Sequence, residues 1–208
     1  MSEYYIPSGP GEAEFTEKRS RFLGHVRMVE SEEEARAFIA EMKRKYYDAR
    51  HNCWCYAIKD GPERYSDDGE PQGSAGIPML EVLRRRELTN AVCVVTRYFG
   101  GVLLGTGGLL RAYTKSAKDA LDAAGRSVVR RWVTLDLPCS YASLERYKLE
   151  LSSFGGAVGE IEYGAAVTIR ALLPEDRSEA FRARIFDLSG GSVTVTVTGE
   201  TYQDVPVN

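Results

Sequence analysis

The stretch "NAVCVVTRYF" (90–99) runs straight into "GGVLLGTGGLLRAYTK" (100–115). The first part is almost continuously apolar until Arg97, as expected of a strand buried on both faces. The second part holds five glycines and becomes a helix, "GLLRAYTKSAKDALDAAG" (108–125), which stops at Gly125. Glycine loses more backbone entropy on folding than any other residue, so this density needs a physical reason.

Two reasons stay open. The loop lacks the Lys-Ser/Thr pair of a P-loop, and Leu110 stands where a dinucleotide fingerprint needs its third glycine. What remains is a glycine-rich loop feeding a helix, which exposes unpaired N–H groups and the positive end of a helix dipole. Arg111 and Lys115 are four apart and share a helical face. Arg97, Gly105, Thr106, Gly107, Gly108, Arg111 and Lys115 are therefore the candidate anion or nucleic-acid site. The other reason is close packing: Ala112, Ser116, Ala120 and Ala123 form a small-residue stripe that lets the helix approach a sheet.

Outward from this block, "RFLGHVRMV" (21–29) alternates like a strand. Ser31 and Glu34 form a capping-box pair at the start of "SEEEARAFIAEMKRKYY". Ala35, Phe38, Ile39, Met42 and Tyr46 follow at helical spacing. "HNCWCYAIK" (51–59) reads as a strand, "DGPERYSDDGEPQGSAG" (60–76) as a loop, and Pro78 suits the first turn of a helix through "MLEVLRRREL". Residues 1–14, with Pro7 and Pro10, read as frayed.

The second half has a plain rhythm. Strand "SVVRRWVTLDLPC" precedes helix "SLERYKLELSSF", then a hairpin turning near Gly164, helix "EDRSEAFRARIFDL" and a last alternating strand, "SVTVTVTGETY". The order β-α-β-β-α-β is the ferredoxin-like split unit. A domain boundary is expected near 125–128, separating domains at 15–125 and 127–205.

Ser66, Asp67, Asp68 and Glu70 are the acidic turn of the first half. Three carboxylates are hard ligands for Mg²⁺, but the spacing is not that of an EF-hand and "DDGEP" is ordinary turn chemistry. Arg97 shares a strand face with Cys93 and Val95, and a buried arginine must find a partner. Pairing with this acidic loop, through Asp67, Asp68 or Glu70, is favoured over a metal. His51, Cys53 and Cys55 lie on one side of a strand. They lack the fourth ligand and wider spacing of a zinc site, so His51 reads as a hydrogen-bonded cleft residue and His25 as structural. No metal and no cofactor are expected.

Of 208 residues, 43% are hydrophobic and 27% charged, with a net charge of −3. Residues 1–125 carry 18 basic and 19 acidic side chains, and residues 126–208 carry 9 and 11. A bulk electrostatic nucleic-acid binder would be basic, so any such contact must come from a local patch. "LRRRE" (83–87) and "KRK" (43–45) could feed one, although basic residues there also complement helix dipoles. No apolar run approaches the roughly 18–20 residues of a membrane span. The polar start "MSEYYIPSGPGEAEF" gives no signal peptide. Four cysteines without a disulfide framework point to the cytoplasm.

"ARHNC", "SDDGEPQGSAGIPML" and "VVTRYFGGVLLGTGGLLRAYTKSAKDAL", in that order, resemble the IMPACT/YigZ family. The resemblance is strong over about residues 15–125, and the ferredoxin-like half fits the bacterial two-domain branch. It implies an α+β protein. The first domain would be ribosomal-protein-S5 domain-2-like, a mainly antiparallel four-stranded sheet with helices on one face. The second would resemble the fifth domain of elongation factor G. It further implies binding to RNA or the ribosome and modulation of translation, with no firm enzymatic activity. The alternative is an enzyme holding a phosphorylated or carboxylated small molecule in a cleft of His51, Asp67, Arg97 and Arg111. Eukaryotic members carry an additional N-terminal partner-binding domain. The match here begins near Glu14, so that partner is not carried over.

Overall fold

The computed structural model describes residues 3–207. The chain divides into two compact units, one built on Tyr4–Val128 and the other on Val129–Gln203.

In the first unit, β1 (Tyr4–Pro7), β2 (Gly11–Glu17) and β3 (Ser20–Met28) precede helix α1 (Glu32–Lys45). Then come β4 (His51–Ala57), β5 (Glu63–Ser66), α2 (Gly76–Arg85), β6 (Ala91–Tyr98) and α3 (Thr106–Ala124). The sheet order is β2-β3-β6-β4-β5, antiparallel at every pairing. The central strand β6 is buried along nearly its whole length, which is what its continuous apolar run requires.

Helices cover both faces of this sheet rather than one. Cys53, Cys55, Cys93 and Val95 pack with α2 and α3. Tyr56, Val92 and Val94 point the other way, onto Phe38, Ile39 and Met42 of α1. The sheet also has five strands rather than four. The N-terminal residues read as frayed form β1, which lies outside this sheet, and the start of β2; the loop read over 60–76 contains the edge strand β5.

The Ser31 hydroxyl caps α1, accepting from the Glu34 N–H at 3.1 Å. The Glu34 carboxylate reaches back one residue further than in a standard capping box, to the Glu30 N–H at 2.7 Å. Helix α3 lies close on β2 and β3. A Cβ placed on Gly24 would sit 2.7 Å from the Ser116 carbonyl oxygen and 3.0 Å from the Ala120 methyl. The small-residue stripe thus meets small residues on the sheet, with Ala124 buried where Ala123 was expected.

The second unit contains β7 (Arg126–Cys139) beyond Val128, then α4 (Leu144–Ser153), β8 (Ala157–Tyr163), β9 (Val167–Pro174), α5 (Glu175–Leu188) and β10 (Thr196–Val207). Strand β9 lies between β7 and β8, and β10 pairs with β7, which is the ferredoxin-like arrangement. Its core joins Leu135, Leu137, Ile169 and Leu173 of the sheet to Leu151 of α4 and Phe181 of α5.

Candidate functional site

Arg97 ends the buried part of β6, and its charge is met from the acidic turn. Its Nη1 donates to Glu70 Oε1 at 2.7 Å, with side-chain exposures of 7% and 3%. Nη2 approaches the Ser20 hydroxyl at 3.4 Å. The same Glu70 oxygen accepts from the Tyr113 hydroxyl of α3 at 2.8 Å. Burial, with the neighbouring Cys53 and Glu70, pushes the Tyr113 phenol far above its ordinary range. The partner is Glu70, not Asp67 or Asp68.

The two aspartates serve the backbone. Asp67 accepts from the N–H groups of Gly73 at 2.8 Å, Ala75 at 3.0 Å and Gly76 at 2.8 Å. It caps the start of α2 from outside that helix, whose own N-cap, Ala75, has no side-chain acceptor. Asp68 accepts from the Asn52 N–H at 2.7 Å and from Lys43 Nζ at 2.6 Å, and the Ser66 hydroxyl accepts from the Asp68 N–H at 3.1 Å. Among the described residues no three metal-ligating side chains converge.

His51 stands opposite Arg97 in the β4–β6 register. Its Nδ1 lies 2.9 Å from the Asp68 carbonyl oxygen. A carbonyl can only accept, so Nδ1 carries a proton and donates to it. Cys53 and Cys55 on the same face are fully buried.

A cleft of about 400 Å³ opens beside this network. Arg50, His51, Glu70 and Arg97 give it polar groups, and Gly105 and Thr106 bring the head of α3. Pro71, Phe99, Leu103, Leu104 and Leu109 supply apolar walls. Gly105, at φ +72°, has no atom within 4 Å of where a Cβ would stand. The first N–H groups of α3, which have no intrahelical acceptor, therefore begin at an open surface.

Arg111 and Lys115 are not in that cleft. They line a second depression, of about 240 Å³, with Gly108, Lys18, Glu17 and Phe15. Leu104 forms a wall of both. Gly107 lies under the Arg111 guanidinium, 3.6 Å from a Cβ position. The anion site read as one set is thus two depressions flanking the start of α3, while Ser66, Asp67 and Asp68 line neither. Close approach at Gly100 brings the β2–β3 turn to this surface. A Cβ there would meet the Arg19 carbonyl at 2.0–2.2 Å. Lys18, Arg19, Arg50 and Arg111 are exposed and form no ion pair among the described residues. Lys115 is held by Asp119.

Arg50, Lys18 and Phe15 were not singled out from the sequence. Arg50 had a signal, its place beside His51 in "ARHNC". Lys18 and Phe15 had none, because they reach the site through pairing of β2 with β3.

In the second unit, Trp132 and Tyr147 are buried, while Tyr141 and Tyr163 are exposed with ring centroids 6.4 Å apart. Arg170, on the sheet face away from the helices, is surrounded by Asp136, Glu160 and Glu162. Three carboxylates around one guanidinium leave that cluster net negative.

Fold and site together define a two-domain α+β protein with a cleft at a glycine-led helix start and no known nucleotide-loop motif. Residues 18–121 match the Impact N-terminal domain, and residues 137–192 match a domain of unknown function, DUF1949. The chain belongs to the IMPACT family. It is 36% identical to IMPACT family member YvyE of Bacillus subtilis, over 100% of this chain and 97% of that one. It is 33% identical to IMPACT family member YigZ of Escherichia coli, over 96% and 100%. Protein IMPACT of Mus musculus is 32% identical over 43% of this chain and 30% of its own. A crystal structure of a hypothetical protein superposes with a TM-score of 0.60 at 33% identity, covering 95% of this chain and 98% of that one. Among the described residues no helix is long and apolar enough to cross a membrane.

Proposed function

We propose that this protein is a non-enzymatic RNA-binding member of its family that acts on translation in the cytoplasm, gripping ribosomal or other RNA across the start of α3. One observation carries the reading. Lys18 and Arg111 line one side of the head of α3, Arg50 shares the other side with the exposed Phe99 ring, and Arg19 packs against Gly100, none of them neutralised by an ion pair among the described residues. Cations that track a backbone beside an aromatic platform are the elements of single-strand recognition. With a net charge of −3, attraction has to be local, and this is a local patch. The translational setting comes from the family resemblance.

Fluorescence anisotropy with a labelled single-stranded RNA, and sedimentation with ribosomal subunits, test it across a salt series. Affinity should fall as salt rises, and Arg111→Ala should weaken binding and lower the log–log salt slope by about 1. Absence of binding to RNA and to ribosomal fractions at low salt would remove the reading.

A second reading rests on His51. An imidazole fixed through Nδ1, in an apolar-walled cleft with arginines, also suits an enzyme acting on a small phosphorylated or carboxylated substrate. Thermal stabilisation by millimolar small phosphates or carboxylates, without RNA binding, would favour it.

A further inference from the structure

We propose that the cleft between Phe99 and the head of α3 seats one unstacked nucleotide, taking its phosphate at the helix start and its base against the apolar wall. The proposal rests on the RNA-binding reading and names the part of the RNA that this cleft takes.

Three features point to this chemistry. The first is the wall. Phe99 and Leu103 are 44% and 83% exposed, and with Leu104 and Pro71 they make one side of the cleft apolar. A bare phosphate has no use for such a wall, whereas a base stacks on it. The volume, about 400 Å³, is within the roughly 300–1,000 Å³ of small-molecule sites. The depression around Arg111 is smaller, about 240 Å³, and is lined by Lys18, Arg111 and Lys115 against the single carboxylate of Glu17, an excess of cations that suits a neighbouring backbone phosphate.

The second feature is the polar end. The open N–H groups at Gly105 and Thr106, with Arg50 beside them, favour an anionic oxygen. Arg97, 5% exposed, lines the same cleft and adds a cation there; Glu70 and Ser20 hold its Nη1 and Nη2, and its Nε–H is buried without an acceptor among the described residues.

The third feature is His51. Its Nδ1 donates to the Asp68 carbonyl, which fixes the ring and leaves Nε2 as the nitrogen free to hydrogen-bond a polar group of a ligand.

The test uses the full chain and three probes: a labelled single-stranded oligoribonucleotide, adenosine 5′-monophosphate and inorganic phosphate. The nucleotide should displace the oligonucleotide at millimolar concentration, and inorganic phosphate should need at least about tenfold more. Phe99→Ala should weaken the nucleotide and the oligonucleotide by about tenfold each, in line with the loss of one base–aromatic stack. Arg111→Ala should weaken the oligonucleotide alone. Leu103→Ser, at a more exposed position, repeats the wall test, and thermal unfolding checks that both wall variants fold.

Oligonucleotide binding that neither wall variant changes and the nucleotide does not displace would overturn the cleft assignment and leave the RNA reading standing. Equal competition by phosphate and nucleotide would overturn it too. Nucleotide binding sensitive to Phe99→Ala, without oligonucleotide binding, would support the cleft and overturn the RNA reading. No binding of any probe would overturn both.

Discussion

Arg97 and Glu70 form an ion pair of 2.7 Å with almost no access to water. It joins the central strand of the first sheet to the turn before α2, and through Tyr113 to α3. Taking two charges out of water costs several kcal/mol for each ion, and the pair recovers this only while both partners stay in place. Glu70→Ala should therefore destabilise the protein by about 3–5 kcal/mol, the range for leaving one buried charge alone. The double variant Arg97→Met with Glu70→Leu should recover much of the loss. Urea unfolding of the three proteins measures it; a Glu70→Ala cost below about 1 kcal/mol would show that the pair is not buried as described.

Asp67 holds three N–H groups at the head of α2. Charge-assisted bonds to a helix start are stronger than neutral ones, and without Asp67 these donors lose their acceptor. Asp67→Ala should cost about 2–4 kcal/mol, more than an ordinary cap, because three donors are affected. Asp67→Asn, which keeps one acceptor oxygen, should cost about half as much. Similar losses for the two variants would mean that the charge, rather than acceptor geometry, holds the turn.

These two carboxylates show where the sequence was legible. The need for a partner to Arg97 follows from burial alone, and the acidic turn was the nearest source. Which carboxylate answers depends on how the turn folds back, and Asp67 is already committed to backbone donors. The separation of Arg97 from Arg111 was also hidden. Thr106 and Arg111 are five apart, so they point about 140° apart around α3 at 3.6 residues per turn. Helix α1 was legible because Ser31 and its apolar spacing agree. Strand β2 was not, because its buried position is Gly11, where α3 leaves no room for a side chain, and Ala13 and Phe15 are only partly buried. Strand β5 is an exposed edge of polar residues with no period to read.

All four cysteines are free and buried. Burial pushes the thiols of Cys53, Cys55 and Cys139 up. Cys53 donates to the Asp67 carbonyl at 3.0 Å, and Cys55 stands opposite Cys93 in the sheet. Thiolate is the reactive form, so all four should resist iodoacetamide in the native protein at pH 8 and react once it is unfolded. Mass spectrometry counts the labels. Rapid labelling of Cys53 in the folded state would instead expose the cleft network to solvent.

His25 is buried in β3 between Tyr46 and Glu12. Its Nε2 is 2.8 Å from the Tyr46 hydroxyl and its Nδ1 is 3.3 Å from the Glu12 carboxylate. Burial lowers its pKa, outweighing Glu12 and Glu41, which raise it, while Lys45 adds to the lowering. The unfolded chain then binds a proton near the ordinary value of about 6.5 while the folded chain does not. Stability is unaffected by this group above that value, and is lost as pH falls from there towards the lowered folded value. His25→Gln removes the titration. Urea unfolding at pH 8, 7, 6 and 5 should show the parent losing stability relative to the variant only in the lower part of the series. Parallel stability curves would mean that His25 takes up its proton equally well in both states.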